Sequence, residues 1–307
     1  MWVDIYSITS ESRLYWPYIL SSLIIALFFI KQYDLFSKKY WFNSSILTDI
    51  KILLFNRFVK AILILPIESL VIFGLTKQLL TSIGGVVLFQ PLWSEPLKLL
   101  VFSLSFFIFD DFLKFFQHMM MHKVPLLWSF HRVHHSAHTL NPLTLYRVHI
   151  VEVLISSIRR TLGTVIISVA FLFLTGEFIT FYEILGAHAF HFVFNIVGGN
   201  LRHSHIPLSF GFLENIFISP AQHQIHHGKS KEHYNLNYGI CFSIWDKLFG
   251  SFMRSQKNQK IKFGLVYSER KALGKDWSQM ISGPFNEILK SFKISFQKRV
   301  YIQEKEC

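Results

Sequence analysis

Residues 97–135, LKLLVFSLSFFIFDDFLKFFQHMMMHKVPLLWSFHRVHH, decide the reading of this chain. An apolar run over 97–117, close to the length that a bilayer's hydrocarbon core demands, delivers the pair His118-x-x-x-His122 and then the triplet His131-x-x-His134-His135. Residues three and four apart lie on one face of a helix, so the pair, and the triplet by itself, can each aim imidazoles at one point.

The triplet recurs once, as His223-x-x-His226-His227. His is about one residue in twenty, and chance then places one such triplet with odds of roughly 0.04 and two with odds of roughly a thousandth. The spacing therefore points to metal. Cys241 and Cys307, the two cysteines, lie far apart, which excludes a disulfide framework and a Cys-based zinc or iron–sulfur site. Any ion here must rely on His or carboxylate.

Working outward, 307 residues with 51% hydrophobic, 16% charged and 33 Phe are too apolar for an ordinary soluble domain. The expectation is an all-α, multi-pass integral membrane helical bundle carrying a histidine-rich di-metal cap. Runs near 14–30, 58–76, 97–117, 150–175 and 178–197 are the expected crossings, the last two as a short hairpin. Arg159 and Arg160 interrupt the fourth run, which predicts an interfacial start and entry into the membrane after Thr161. The run at 14–30 lacks a small-residue cleavage site and is expected to stay as a membrane helix.

Lys31, Lys38, Lys39, Lys51, Arg57 and Lys60 crowd the loop after the first run, so that loop is expected in the cytoplasm. Counting crossings forward places 118–149 and everything after about 198 on the same face, and the metal site with them. The net charge of +12 lies beside apolar segments, which fits anionic lipid headgroups and excludes a nucleic-acid module. Three regions follow: 1–96, an N-terminal transmembrane region; 97–252, carrying the histidines; and 253–307, a basic tail. In that tail Phe285, Ile288, Leu289, Phe292, Phe296 and Val300 form one helical stripe, suited either to a membrane surface or to packing on the domain.

Neutral imidazole suits zinc, iron, copper and nickel. The pair, the two triplets and at least one of His188, His191, His203 or His205 give roughly nine nitrogens against the roughly four that a structural zinc takes, so two ions sharing one cage fit better. Asp111, two helical turns before His118, is a candidate to hold an imidazole N–H. Its alternative is an interfacial carboxylate paired with Arg or Lys.

These residues resemble the membrane-bound fatty acid hydroxylase and sterol desaturase superfamily. The likeness runs through Asp111…His118-x-x-x-His122, Trp128-x-x-His131-x-x-His134-His135 and His223-x-x-His226-His227. Its flanks extend it: Tyr146-Arg147-x-His149-x-x-Glu152, Ser219-Pro220, Asn237-Tyr238-Gly239, Trp245-Asp246 and Phe249-Gly250. By that resemblance the ligands are His118, His122, His131, His134, His135, His223, His226 and His227, with His203 as the ninth.

Asp111, His188, His191 and His149 are expected to support the ligands from behind, and His138, His205 and His233 to lie there or at the surface. Met119 stands where the family often has Arg, and His138 where it often has an acidic residue. The resemblance implies two Fe ions, O2, a lipid substrate (fatty acyl, sterol or alkyl-glycerol), hydroxylation or desaturation, and electrons from a separate protein such as a cytochrome b5 or ferredoxin. Two rival classes remain, an intramembrane zinc hydrolase and a metal transporter or permease. The first lacks a His-Glu-x-x-His segment here, and the second predicts ionisable residues along a path across the membrane rather than gathered at one face.

Overall fold

The computed structural model describes residues 16–28, 38, 43–83, 93–176, 190, 192–197, 199–257, 259–274 and 276–306. Its elements in chain order are α1 (Trp16–Leu27), α2 (Ser44–Val59), α3 (Leu65–Ile83), α4 (Glu95–Lys123), α5 (Pro125–His135), α6 (Ile150–Thr175), α7 (Pro220–His226), α8 (Ile244–Leu248), α9 (Tyr267–Leu273) and α10 (Trp277–Glu306). Short 3-10 turns lie at Pro142–Tyr146 and Gly199–His203, and a π-turn at Lys60–Ile64 joins α2 to α3. Among the described residues there is no strand, only isolated bridges between Phe217 and Phe242 and between Gly228 and Phe263.

Local chemistry sets the helix starts. Asn43 accepts from the Ser45 and Ile46 amides at the head of α2, and Pro125 opens α5, where its missing N–H costs nothing. α6 begins at His149, whose Nδ1 accepts from Val151 N at 3.1 Å, and ends at Gly176, in the left-handed conformation (φ 75°) that glycine adopts without strain.

α6 is the one described helix both long and apolar enough to cross a bilayer, with a mean hydropathy of 1.6. It packs between α3 and α4. The arginines that suggested an interfacial start do not break it, because each meets a carboxylate across a helix interface: Arg159 with Asp110 of α4 at 2.5 Å, Arg160 with Glu68 of α3 at 2.8 Å. The run expected at 97–117 lies within α4 together with Lys98, Asp110, Asp111 and Lys114. Most of the run expected at 178–197 lies outside the described residues.

Two small cores hold the histidine-bearing segments. Ile52, Val133, Leu265, Leu273 and Met280, with Trp128 and Trp277 against them, join α2, α5, α9 and α10. Phe115, Met119 and Tyr238, with Trp245, fix α4 to the 236–245 segment. Behind α5, the buried Arg147 guanidinium meets Asp49 at 2.5 Å and Ser45 Oγ at 2.6 Å, while Asn141 donates to Asp49 at 2.9 Å. A buried pair of this kind is tolerated because its remaining donors and acceptors are filled. The first half of α10 docks on the same body: Phe285 lies edge-on to Phe130, Glu287 pairs with Arg132, and Ile281 O accepts from His149 Nε2 at 2.8 Å. Leu289 and Phe292 of the expected stripe are exposed.

Candidate metal centre

Four short pieces of chain bring imidazoles together. The last two turns of α4 carry His118 and His122, and the tight corner at Val124 folds α5 back so that its triplet faces them. α7 carries His223 and His226 of the second triplet, with His227 as its C-cap. A reciprocal cap starts that helix: Ser219 Oγ accepts from Gln222 N at 3.1 Å, and Gln222 Oε1 accepts from Ser219 N at 3.0 Å. His203 closes the 3-10 turn at Gly199–His203.

All nine expected ligands fall into two groups, His118, His122, His131, His135 and His226 in one, His134, His203, His223 and His227 in the other. Within each group one ring nitrogen per residue lies within 4.8 Å of all the others, close to the ~4 Å that separates two nitrogens on opposite sides of one ion. The groups adjoin, with the His135 and His227 rings stacked at 4.5 Å.

Each triplet is split between them, contrary to the expectation that a triplet aims at one point. His131 and His135 serve the five-histidine group while His134 serves the other; His223 and His227 serve the four-histidine group while His226 crosses to the first. The physical reason is that i and i+4 lie about 40° apart around a helix whereas i+3 falls on the other side of i, so a triplet set between two points addresses both. α5 and α7 thus exchange one imidazole each.

The five-histidine group is oriented by hydrogen bonds from behind. His118 Nδ1–H donates to Tyr238 O at 2.8 Å, His226 Nδ1–H to Leu236 O at 2.9 Å, and His131 Nδ1–H to Glu152 Oε2 at 3.1 Å. Each bond leaves Nε2 as the free lone pair. Among the described residues the Nε2 atoms of His122, His131, His135 and His226 are buried without any partner, a costly state for polar atoms that a cation would relieve. In the other group His203 Nε2 lies 3.1 to 3.2 Å from the Nε2 atoms of His134, His223 and His227. Four neutral imidazoles cannot satisfy one another through a single shared point, whereas converging lone pairs suit a metal. The residues present fit two ions.

Burial, reinforced by the neighbouring imidazoles, lowers the pKa of His118, His122, His135, His223 and His227 well below the ordinary histidine value. Burial likewise brings His134 down to about 4 and His226 to about 3. At neutral pH these rings are therefore uncharged and need shed no proton to bind a metal.

Asp111 does not hold an imidazole. Seven residues of helix separate it from His118, a rise of about 10 Å, which is beyond a carboxylate's reach. It accepts instead from Cys241 N at 2.9 Å, Phe242 N at 3.1 Å and Trp245 Nε1 at 3.0 Å, and so pins the segment whose Tyr238 carbonyl orients His118. Asp246 closes the same loop from within, accepting from Tyr238 N and Gly239 N, and burial raises its pKa to about 6. His149 likewise does not support a ligand: both its ring nitrogens are used, one to cap α6 and one to hold α10. His188 and His191 lie outside the described residues, and His138, His205 and His233 belong to neither group.

The residue that sequence reasoning missed is Glu152, the carboxylate that does reach an expected ligand, His131. It belongs to the 146–152 flank, but no helical spacing links it to His131, and only the packing of α6 against α5 joins them. Trp128, three residues before His131, has its ring 5.0 Å from that of His122 and 5.4 Å from that of His135. A 190 Å³ pocket opens onto the cage, lined by His122, Trp128, His135, His226, His227 and, from the C-terminal segment, Glu269.

The geometry finds its counterpart among known sequences. The profile of the fatty acid hydroxylase family matches residues 103–251. Human alkylglycerol monooxygenase is 29% identical over 163 residues, which cover 53% of this chain and 33% of that protein. The same enzyme of Caenorhabditis elegans is 28% identical over 161 residues, 52% of this chain and 29% of its own. Ornithine lipid hydroxylase OlsE of Rhizobium tropici is 28% identical over 159 residues, 52% of this chain and 44% of its own. The chain thus spans less than half the length of these relatives. No solved structure matches. All nine cage histidines lie inside residues 103–251, the segment that matches the fatty acid hydroxylase family.

Proposed function

We propose that this protein is a membrane-bound di-iron oxygenase that inserts a hydroxyl group at a C–H bond of a lipid. The observation that carries the reading is the pair of adjoining histidine groups with buried, unpartnered Nε2 atoms. The family match and the monooxygenase and hydroxylase names of the relatives favour hydroxylation over desaturation. They also support a lipid of alkyl-glycerol or related polar type.

The nine imidazoles would hold the ions, five on one and four on the other. Iron bound there would supply O2 activation, with two electrons and two protons from a separate donor, so that one oxygen atom enters the C–H bond and the other leaves as water. The chain's own part is positioning and exclusion. Tyr238, Leu236 and Glu152 fix ring orientation, the neutral imidazoles present lone pairs, and burial keeps bulk water from the four-histidine group. The 190 Å³ pocket gives the reacting portion of the substrate a way to the cage.

A multi-pass arrangement with the cage at the cytoplasmic face completes the proposal. It is supported by the apolar runs, the hydropathy of α6 and the basic loop that follows the first run. Two irons per chain by elemental analysis after gentle solubilisation are expected, and a new hydroxylated lipid in cells carrying the intact protein but not its His226→Ala variant. One zinc per chain, or lipid profiles that do not differ, would sink it.

A further inference from the structure

We propose that Glu269, which lies beyond the family-matched segment, is a positioning residue for the five-histidine group, acting through the indole of Trp128. The inference rests on the metal-centre reading above and deepens it. Three rings of that group are oriented by a hydrogen bond on the nitrogen facing away from the cage, to Tyr238 O, Leu236 O or Glu152. His122 and His135 have no such bond among the described residues, and the Nε2 of each is buried without a partner. Beside their fellow imidazoles His131 and His226, the ring in contact with both is Trp128, inclined at 41° to His122 and 51° to His135.

An indole can set the planes of two imidazoles only if it is itself fixed. Trp128 packs against the Val133, Leu265 and Met280 cluster, and its Nε1–H donates to Glu269 Oε1 at 3.0 Å. Glu269 stands in the first turn of α9, on the wall of the 190 Å³ pocket. With the carboxylate removed, that pocket gives the indole room to swing away, and His122 and His135 then gain rotational freedom that metal binding must remove. Partners that orient metal ligands are worth about 10–100-fold in metal affinity, and an indirect tie belongs at the lower end, about tenfold.

The test uses the full chain in detergent, stripped of metal and titrated with Co(II), following the visible absorption of the bound ion and the number of ions taken up. Wild type is expected to bind two. Glu269→Ala and Trp128→Phe are expected to keep one tight ion and bind the second about tenfold more weakly. Glu269→Gln, whose amide oxygen still accepts from the indole, restores it. Glu287→Ala cuts the other C-terminal tie, at Arg132, and is expected to bind like wild type. A Glu269→Ala protein that binds both ions as tightly as wild type overturns the inference, as does a Glu287→Ala protein weakened equally. Trp128→Phe decides the matter if Glu269→Ala does not fold. A wild-type chain that takes up fewer than two ions overturns the metal-centre reading itself.

Discussion

The two histidine groups differ in how they are built. The group of five is held from behind by directed hydrogen bonds, to two backbone carbonyls and one carboxylate, and it lines the pocket with His122, His135 and His226, where the other group contributes His227. The group of four is buried throughout, its Nε2 atoms converge on His203, and the Nδ1 atom of His223 has no partner among the described residues. One group is oriented by second partners and has a ligand to spare; the other is oriented by close packing and has none.

That contrast predicts unequal responses to loss of one imidazole. His203→Ala leaves three ligands, and metal content is expected to fall from two ions to one with activity reduced by about a thousandfold or more, the equivalent of about 4 kcal/mol. His131→Ala leaves four, so both ions are expected to remain. Elemental analysis of the two purified variants checks this, and equal metal loss in both would erase the distinction between the groups.

The next largest effect is on the loop that orients His118. Asp111→Ala strands the buried amides of Cys241 and Phe242 and the Trp245 indole N–H, at a cost of about 3 kcal/mol or more. Thermal melts should show it in the metal-free chain. Asp111→Asn recovers only part, because one oxygen replaces two. A smaller effect is expected at Glu152→Ala, which removes the acceptor of His131 Nδ1–H and should weaken the five-histidine ion by about 10–100-fold while sparing the other. Loss at both sites would make Glu152 a support of the whole cage.

Much of the cage was legible because ligand spacing is local. His118 and His122, and each triplet, announce themselves through the helical repeat, and the resemblance supplied His203 as well. Which group each imidazole joins is not legible, because that depends on how α5 and α7 face each other. The carboxylates failed in the same way. Asp111 shares a helix with His118 and so looked like its partner, but a helix carries a residue two turns away out of reach; Glu152 sits on a different helix and is in reach. His149 was quoted beside Glu152, yet its ring is spent on a cap and on Ile281 O, which only the arrival of α10 reveals. The partners of Arg159 and Arg160, Asp110 and Glu68, lie some fifty and ninety residues away, beyond any local pattern. In each case the sequence names the group and the fold chooses its partner.

The smallest expected effect separates the contribution of one ring from that of the cage. In the metal-free chain His226 is brought down to about 3 by burial, while in the unfolded chain it titrates near 6.5. Between those values the unfolded state binds the extra proton, so stability must rise with pH: it is complete above about pH 6.5 and lost as pH falls toward about 3. At pH 6 the loss from this one ring is about 0.8 kcal/mol relative to pH 8. Replacing it by Asn, which does not titrate, should flatten the pH dependence of denaturant unfolding by about that amount, whatever the variant does to stability at pH 8. An unchanged slope would mean that His226 is not held neutral in the folded chain. The exchange of imidazoles between α5 and α7 would then begin from a charged ring that any incoming cation must first displace a proton to reach.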